Sequence, residues 1–422
     1  MSGYNRLEQA VGHYLNDFPR IKGAVETTYQ RASYLLFANR DFKYKLHDDV
    51  PLHTAPTWFG AEDGTLDEFF VGFYDVCPWN EDQTQYVVHE LDESSGTVSI
   101  SVLGKDGSER IASTDAWNYQ QGARTRWHPT QKDALIFNDI ENGNAVARIV
   151  NTDGEELDRY QQPMQAMNPT GEDFLSINYR RLDHNSPAYG YGTDDGSELA
   201  TPAEDGIVRI DRDGNTELIV SFRSLISEVE TAVDSEYHYI HHGLYAPDGD
   251  QFAFLHRWVD DGQRQTRLLV SNRFGKRRLL LENEYVSHYC WLDTKRLFLW
   301  GGSKAHGRGY HIVDTESGEI DYVEGLSGYG DGHPTLSPDG EWVVTDTYPD
   351  RTRKRTLWLY NIYNSRSIKL GNFLAPFEFD GGYRCDLHPR WSRDGKFISI
   401  DSAHEGVRKS YILDVSSVCQ FE

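Results

Sequence analysis

The sequence predicts an all-β fold, a seven-bladed β-propeller with a short helical extension at its N-terminus. One observation is a recurring sequence motif with three parts in order: a residue expected to face the channel, a tight turn of Asp-Gly type, and an apolar strand. This residue is a histidine at four positions, which lie 46, 45 and 55 residues apart: His242, His288, His333 and His388. A second set of hairpin turns recurs between the copies of this motif. Strand units repeating at roughly 40–50 residues are typical of propeller blades.

Residues 1–68 differ from the rest of the chain and form the predicted helical N-terminal extension and linker. Apolar residues between Leu7 and about residue 45 recur at helical spacing on either side of Pro19, which predicts two short helices. Residues 46–68 contain two prolines and two glycines, a composition typical of a linker. The propeller is predicted over residues 69–422.

Two sets of turn signals divide the propeller into blades. The inner turns fall near Asn80, Pro129, Pro169, Pro247, Asp293, Pro338 and Arg393. The outer hairpin turns fall at residues 104–107, 153–154, 213–214, 274–275, 317–318, 364–365 and 416–417. Each set has seven members, so both predict seven four-stranded blades. The long interval after Pro169 predicts an insertion in the third blade around residues 185–204, where propeller loops crown the channel mouth.

The last blade needs an outermost strand, and two segments compete for that position. Residues Val418–Phe421 would complete the blade from its own end, whereas a strand from residues 46–60 would be borrowed from the start of the chain. The pair Ser416-Ser417 has the character of a hairpin turn. The first alternative is therefore preferred.

The recurring histidine lies at the start of the first strand of its blade, and this strand lines the central channel. Four imidazoles would then converge on one axis, which favours a metal or catalytic centre over simple packing. We expect His242, His288 and His333, on three consecutive blades, to share one metal ion. His388 is one blade further and is expected to be a fourth ligand or the catalytic base. Arg124 takes the same position in another blade and is a candidate substrate-binding residue.

Composition limits the partners and the location of the chain. The formal net charge is −24, so nucleic acid and anionic membranes are poor partners for the molecule as a whole. No apolar run has the length of a signal peptide or of a membrane-spanning helix. The four cysteines are widely separated and form no CxxC pair, which favours a reducing, cytoplasmic setting. Oligomeric state is not predicted.

Three stretches resemble a group of seven-bladed propeller proteins related to polysaccharide lyases. Residues 69–79, FFVGFYDVCPW, resemble the opening FFGYYD-x-x-PW of that group. Residues 237–258, which end in FLHRW, resemble its NH-x-x-x-SPDG…FLHRW segment. Residues 386–406 resemble its closing DLHPRWSPDG…DS-x-HEG. The related enzymes include oligogalacturonate lyase and the ulvan and rhamnose–glucuronate lyases.

The resemblance implies a fold, a reaction and a set of site residues. In the oligogalacturonate lyase branch, channel histidines and a glutamine hold a divalent metal, typically manganese, and His242, His288 and His333 are the matching positions here. In the ulvan-lyase relatives a histidine and a tyrosine act as base and acid beside a neutralising arginine. His128, Tyr191 and Arg181 are the plausible counterparts. Tyr74, in the first resembling stretch, is a candidate substrate-binding residue.

The remaining candidates come from charge and position. Arg180 and Arg181 are adjacent and lie close to the insertion, so in an acidic protein they indicate either an anion site or a surface salt bridge. Tyr191 is flanked by glycines on the insertion and is expected to swing over a bound sugar. His128 follows Trp127, and the alternative to a catalytic role for it is a purely structural one.

The leading functional hypothesis is a metal-assisted lyase that cleaves uronate-containing oligosaccharides by β-elimination. Such an enzyme neutralises the substrate carboxylate, removes the adjacent proton and protonates the leaving oxygen. Imidazole ligands favour manganese or zinc over calcium or magnesium. The alternative is a non-catalytic propeller that binds glycans or proteins. A glycoside hydrolase ranks last, because the recurrent channel positions carry His and Arg where that chemistry needs two carboxylates.

Overall fold

The fold is known from a computed structural model that describes residues 28, 31, 32, 34, 36, 41–61, 66–92, 96–194, 196, 199–229, 234–260, 263–282, 285–303 and 305–419. Seven antiparallel sheets account for its strands, which confirms the predicted seven-bladed propeller. Two short strands precede the blades: β1 (Tyr44–Leu46) and β2 (Leu52–Thr54). Of the predicted helical extension, Thr28, Arg31, Ala32, Tyr34 and Leu36 are described and are helical, and the rest lies outside the described residues.

The first four blades follow one another along the chain, and each runs from an inner to an outer strand. Blade 1 contains β3 (Phe69–Phe70), β4 (Gln85–Asp92), β5 (Thr97–Gly104) and β6 (Gly107–Thr114). Blade 2 contains β7 (Arg126–Trp127), β8 (Ala134–Glu141), β9 (Asn144–Asn151) and β10 (Glu156–Tyr160). Blade 3 contains β11 (Ala166–Met167), β12 (Asp173–Ile177), β13 (Gly206–Asp211) and β14 (Thr216–Ser221). Blade 4 contains β15 (Tyr239–Tyr245), β16 (Gln251–Asp260), β17 (Gln263–Asn272) and β18 (Arg277–Glu282).

The last three blades repeat this order, and the seventh lacks an outer strand from its own end of the chain. Blade 5 contains β19 (Tyr289–Trp291), β20 (Arg296–Ser303), β21 (Gly307–Asp314) and β22 (Ile320–Tyr322). Blade 6 contains β23 (Thr335–Leu336), β24 (Trp342–Thr345), β25 (Lys354–Asn361) and β26 (Ser367–Leu374). Blade 7 contains β27 (Arg390–Trp391), β28 (Phe397–Ser402) and β29 (Lys409–Asp414).

The seventh blade is closed by β2, so the preference for Val418–Phe421 as its outer strand is wrong. Strand β2 pairs antiparallel with β29, with Leu52 opposite Leu413. After Asp414 the chain turns out of the sheet, because the amides of Val418 and Cys419 both donate to the carbonyl of Val415. The pair Ser416-Ser417 thus belongs to a terminal turn and does not begin a hairpin. The borrowed strand, which was the second alternative, joins the two ends of the propeller.

Strand β1 adds a fifth strand to blade 6 and covers its outer edge. It pairs antiparallel with β26, with Leu46 opposite Gly371. A Cβ atom at Gly371 would lie 2.9 Å from Cδ2 of Leu46 and 3.0 Å from the carbonyl oxygen of Lys45. The glycine therefore permits the close approach of β1, which satisfies an edge that would otherwise be exposed.

Beyond residues 28–36, the helical segments that the structure describes are short and lie in the connections between strands. They include α-helices at Ala55–Trp58, Tyr179–Asn185, Phe222–Ile226 and Glu324–Ser327. The 3₁₀ turns span Pro187–Tyr189, Ser235–Tyr237 and Gly381–Tyr383. Two of these segments, Tyr179–Asn185 and Pro187–Tyr189, lie between β12 and β13, which confirms the predicted insertion in the third blade. None of the helices among the described residues combines the length and the apolar character needed to span a membrane.

Tryptophans at the ends of inner strands tie neighbouring blades together. The indole Nε1 of Trp127 donates to the carbonyl of Pro78 at 2.7 Å, from blade 2 to the preceding blade. Trp291 and Trp391 make the equivalent bond to the carbonyls of Leu244 and Thr335, at 3.1 and 3.2 Å. Each of these rings also packs in the apolar layer between two sheets. The same device thus fixes blade spacing at three of the interfaces.

Candidate metal and substrate site

The recurring channel positions are buried and adopt unusual backbone conformations. Arg124, His242 and His388 have φ values of 57°, 52° and 45°, in the left-handed region that non-glycine residues seldom occupy. At His242 the register between β15 and β16 also shifts, as it does at a β-bulge. Such backbone strain is retained where the surrounding structure enforces it, and it clusters at functional sites. The backbone at these positions is therefore held in a conformation that the strands themselves do not require.

A segment of blade 1 crosses the channel and forms the floor beneath the histidines. The amides of Val71 and Gly72 donate to the carboxylate of Asp401 in blade 7, at 3.0 and 2.9 Å. Gly72 has a φ of 109°, and a Cβ there would lie 2.8 Å from the backbone of Gln121. The next residues, Phe73 and Tyr74, place their rings against the channel histidines. The motif at residues 69–79 is thus a plug through the propeller axis.

Three imidazoles from consecutive blades lie side by side above this plug. The ring centroids of His288 and His333 are 4.1 Å apart, and those of His333 and His388 are 4.3 Å apart. The ring of Tyr74 lies 5.8, 5.3 and 6.1 Å from the three imidazoles in the same order. The structure therefore brings together His288, His333 and His388.

Each of the three imidazoles has its Nδ1 occupied by an acceptor. His333 Nδ1 lies 2.8 Å from the Asp346 carboxylate, and His388 Nδ1 lies 2.8 Å from the carbonyl of Gly72. His288 Nδ1 lies 3.2 Å from the Asp331 carboxylate and also contacts the neighbouring Ser287 hydroxyl. Acceptors at Nδ1 place the proton on that nitrogen, so Nε2 keeps its lone pair. This arrangement prepares imidazoles for a metal ion or for proton transfer.

A buried carboxylate, that of Asp386, completes a group of three potential ligands. One ligand atom from each of His333, Asp386 and His388 lies within 4.8 Å of the others. Arg355 and Arg384 reach the Asp386 oxygens at 2.7 and 2.8 Å. Burial alone would raise the pKa of Asp386, but the two arginines outweigh it and hold this pKa well below its usual range. The carboxylate is therefore ionised and able to bind a cation.

Two of the three imidazoles, those of His288 and His388, are held in their neutral form. Burial lowers the pKa of His288 to about 4, and the neighbouring His333 acts in the same direction. Burial and His333 also lower the pKa of His388 well below its usual value. Two imidazoles and one carboxylate form a donor set that suits manganese, iron or zinc better than calcium or magnesium. The residues present thus fit a divalent transition metal.

His242 lies beside this group but points to a different partner. The Tyr74 hydroxyl is 3.2 Å from the imidazole nitrogens of His242, and the Tyr289 hydroxyl donates to the His242 carbonyl. The Tyr74 hydroxyl also contacts the Tyr289 backbone at 3.1 Å. Of the three histidines expected to share one ion, His288 and His333 are adjacent, whereas His242 takes part in holding Tyr74 in the plug.

The candidate arginines are engaged by protein groups to different degrees. Arg124 makes a bidentate ion pair with Asp75 at 2.8 and 2.7 Å and donates to the carbonyl of Gln165. Arg181 is buried and bound to Asp205 at 2.6 Å, and it also donates to three backbone carbonyls. Arg180 is more accessible and lies 3.9 Å from Asp194. Arg124 and Arg181 therefore serve as internal crosslinks in this structure.

Tyr191 and His128 also lie in settings unlike those expected from the sequence. Tyr191 is buried in the core of blade 3, stacked on Tyr179 at 4.4 Å, and its hydroxyl accepts from Asn138 at 2.8 Å. His128 follows β7, at the end of the inner strand away from Arg124, and its Nδ1 accepts the amides of Thr130 and Gln131. The structure does not bring either side chain to the three channel imidazoles.

The residue that the insertion does place over the channel is Tyr189. Its ring meets His241 edge-on at 4.5 Å and lies 6.4 Å from Phe73, and its hydroxyl accepts from Arg384 at 2.7 Å. Tyr348 lies close to the imidazoles from another side, 5.7 Å from the ring of His333. Burial and the charge of Asp386 raise the pKa of Tyr348 well above its usual value, so its hydroxyl stays protonated.

Sequence reasoning missed the carboxylates that complete this site, although a signal was present. Asp331 and Asp386 each stand two residues before a channel histidine, His333 and His388. An Asp-x-His pair in extended backbone places both side chains on one face. Tyr348, Arg355 and Arg384 carry no comparable pattern, because their positions follow only from the closure of the ring.

Comparison with known proteins supports the architecture. An oligogalacturonate lyase from Vibrio parahaemolyticus superposes with a TM-score of 0.63 at 15% sequence identity, over 90% of this chain and 98% of that one. A structure described as oligogalacturonate lyase in complex with manganese gives a TM-score of 0.60 at 16% identity, over 82% and 90%. No protein-family model and no curated protein matches the chain. The similarity is one of fold, and at the level of the fold it confirms the resemblance seen in the motifs. The chain adopts the seven-bladed propeller fold of oligogalacturonate lyase.

Proposed function

We propose that this protein is a metal-assisted lyase that cleaves uronate-containing oligosaccharides by β-elimination. The observation that carries the proposal is the row of three imidazoles, each with Nδ1 occupied, beside the buried carboxylate of Asp386. The architectural likeness to oligogalacturonate lyase, one structure of which was determined with manganese, supports an acidic oligosaccharide as substrate and a divalent metal as cofactor.

His333, Asp386 and His388 are the proposed ligands of the metal. Each imidazole has an acceptor at Nδ1, which leaves Nε2 for a cation, and the carboxylate is ionised. Manganese or zinc, when bound, would supply positive charge that withdraws electrons from the substrate carboxylate. This assignment gives His388 the role of a ligand, and it leaves His288 available for proton transfer.

Arg355 is the proposed partner of the substrate carboxylate within the protein. Its Nη2 binds Asp386, whereas its Nε and Nη1 are buried without a hydrogen-bond partner. A buried guanidinium with unused donors is costly unless a ligand satisfies them. A uronate carboxylate would accept a hydrogen bond from one of these donors, which point in different directions, and would lose part of its negative charge, so the neighbouring C5 proton becomes more acidic.

His288 is the proposed base and Tyr348 the proposed acid. His288 Nε2 is unprotonated at neutral pH and takes the C5 proton, while Asp331 at Nδ1 stabilises the imidazolium that forms. Electrons from the C5–H bond form the C4–C5 double bond, and the C4–O4 bond breaks. Tyr348 gives its proton to the departing O4, and the proton on His288 returns to solvent as Tyr348 is reprotonated. The sugar that results carries an unsaturated C4–C5 bond.

The proposal is tested by product formation together with metal content. Purified protein loaded with Mn²⁺ or Zn²⁺ is incubated with a panel of uronate oligomers, and the unsaturated product is followed by ultraviolet absorbance. We expect product from at least one oligomer and loss of activity after chelation, with elemental analysis showing a bound divalent ion. If no member of the panel yields product with metal-loaded protein, the lyase assignment is overturned. A propeller that only binds glycans would then explain the site.

A further inference from the structure

A second group of charged side chains lies at the channel mouth, on blades 4 and 5, and the proposed reaction does not use it. It consists of His241 on β15, Arg257 on β16, Arg264 on β17 and Arg308 on β21, and we name it the basic cluster. The first two side chains are buried, whereas Arg264 and Arg308 are exposed. The cluster thus extends from the channel wall to the outer rim.

The buried members of the basic cluster have unused hydrogen-bonding atoms. Both nitrogens of His241 and the Nε of Arg257 are buried without a partner. The hydrogen bond that Arg257 does make is a long one, from Nη2 to the carbonyl of Val286 at 3.3 Å. Burial and the nearby Arg264 lower the pKa of Arg257. Buried polar groups without partners are rare in native proteins, so these atoms mark a candidate ligand site.

The described residues around the basic cluster give it no acidic partner. Within the part of the chain that the structure describes, no acidic side chain forms an ion pair with Arg257, Arg264 or Arg308. The groups around them are tyrosines, and the guanidinium groups of Arg264 and Arg308 lie 5.7 and 5.3 Å from the ring centre of Tyr285. In a protein of net charge −24, arginines without acidic partners form a local positive region.

Tyr189 links the basic cluster to the proposed metal ligands. Its ring contacts His241 at 4.5 Å, and its hydroxyl accepts from Arg384, which in turn donates to Asp386. Arg257 also acts electrostatically on His288. The basic cluster is therefore separated from the ligands by one aromatic side chain. A sugar bound at the ligands would have its neighbouring sugar at the cluster, and Tyr189 would lie between them.

We propose that the basic cluster binds the acid group of the sugar next to the one that is cleaved. This inference rests on the proposed function for the identity of the neighbouring site, but the anion site is argued from its own residues. A carboxylate or a sulfate ester has the required chemistry, because both accept several N–H donors. The preferred substrates would then carry acid groups on adjacent sugars, and a neutral neighbour would bind poorly.

The test is a binding measurement without turnover. Titration calorimetry in the presence of a chelator compares a saturated disaccharide of two uronates with the same disaccharide after reduction of its second carboxyl to an alcohol. A third probe carries a sulfate ester on that second sugar. We expect the diuronate to bind at least about tenfold more tightly than the reduced form, as the loss of charge-assisted hydrogen bonds implies. Comparison with the third probe tells whether sulfate replaces carboxylate.

Arg264→Gln is the main variant, because its exposed side chain can change without disturbing the fold, and Arg257→Gln is the second. In both variants we expect the two disaccharides to bind with similar affinity. Arg296→Gln, at an exposed arginine bonded to Asp293, is the matched control and should keep the difference. Equal binding of both disaccharides to the unaltered protein, no measurable binding of the diuronate, or a full difference in Arg264→Gln would overturn the inference. Discrimination without lyase activity would refute the proposed function alone, and activity without discrimination would refute the inference alone.

Discussion

Nδ1 of His333 lies 2.8 Å from Oδ1 of Asp346, which is fully buried and directly follows β24 of the same blade. The same carboxylate accepts the backbone amide of His333 at 2.8 Å and that of His388, on the following blade, at 3.2 Å. One acidic side chain thus orients an imidazole and fixes the spacing between two blades. Its effect on the site passes through the two histidines, since it does not itself belong to the ligand group.

Replacing Asp346 by asparagine should weaken metal binding without removing a ligand. The amide would disturb the acceptor for His333 Nδ1, so the imidazole would lose its fixed tautomer and orientation. Loss of such an outer partner typically lowers metal affinity about 10–100-fold. Competition with a chromogenic chelator measures the affinity, and Asp248→Asn, in an exposed turn, is the control. If Asp346→Asn binds the metal with unchanged affinity, the carboxylate only connects blades 6 and 7 and does not support the metal ligands.

The two histidines that flank His333 should behave differently when each is replaced by glutamine. His388→Gln removes a proposed ligand, so bound metal and activity should both fall. His288→Gln removes the proposed base, so activity should fall at least about 100-fold, as expected for loss of a general base, while metal content is retained. Elemental analysis and the ultraviolet assay on the same preparations separate the two effects. If His288→Gln loses its metal, that histidine is a ligand, as the sequence first indicated.

The tyrosines of the insertion provide a second pair of contrasting variants. Tyr189→Phe should raise KM, because the hydroxyl that accepts from Arg384 lies at the channel mouth. Tyr191→Phe removes an acceptor of Asn138 inside the core and should lower the free energy of unfolding by about 1 kcal/mol. Chemical denaturation and steady-state kinetics on both variants check this. A large loss of turnover in a stably folded Tyr191→Phe would instead support the catalytic role that the sequence suggested for Tyr191.

Stability should fall as the pH is lowered from about 6.5 towards 4, in part because of His89. Burial lowers the pKa of His89 to about 4, and its Nε2 accepts the amide of Ala123 at 3.1 Å. Since the unfolded chain takes up a proton near pH 6.5, protonation favours unfolding below that pH. The shift corresponds to roughly 3 kcal/mol at full effect.

Thermal unfolding measured from pH 7.5 to 4 tests this dependence. His89→Gln keeps an acceptor for Ala123 but has no imidazole to protonate, so the decline in Tm should be shallower than in the unaltered protein. His306→Gln, in an exposed turn, is the control and should leave the decline as it was. Identical curves for His89→Gln and the unaltered protein would place the acid sensitivity elsewhere.

The sequence predicted the blades well because each blade is a local unit with its own turn signals. The equivalent positions of His288, His333 and His388 in their blades could be predicted for the same reason. The roles of single side chains could not, since Asp386 meets His333 only after two blades have packed side by side. Arg181 and Tyr191 seemed free to act because a one-dimensional pattern does not show Asp205 or Tyr179 approaching from elsewhere. The closing strand was misjudged because its three residues carry little signal of their own.

The pairing of β2 with β29 has a consequence for how the protein is made. Residues 52–54 leave the ribosome long before their partner at residues 409–414. Until then, blade 7 has only the pair β27 and β28, and β2 has no partner. The nascent chain therefore has to keep β2 unpaired until β29 has emerged, and such edges invite association with other chains. Loss of β29 would leave the ring open, because this strand joins β28 to β2.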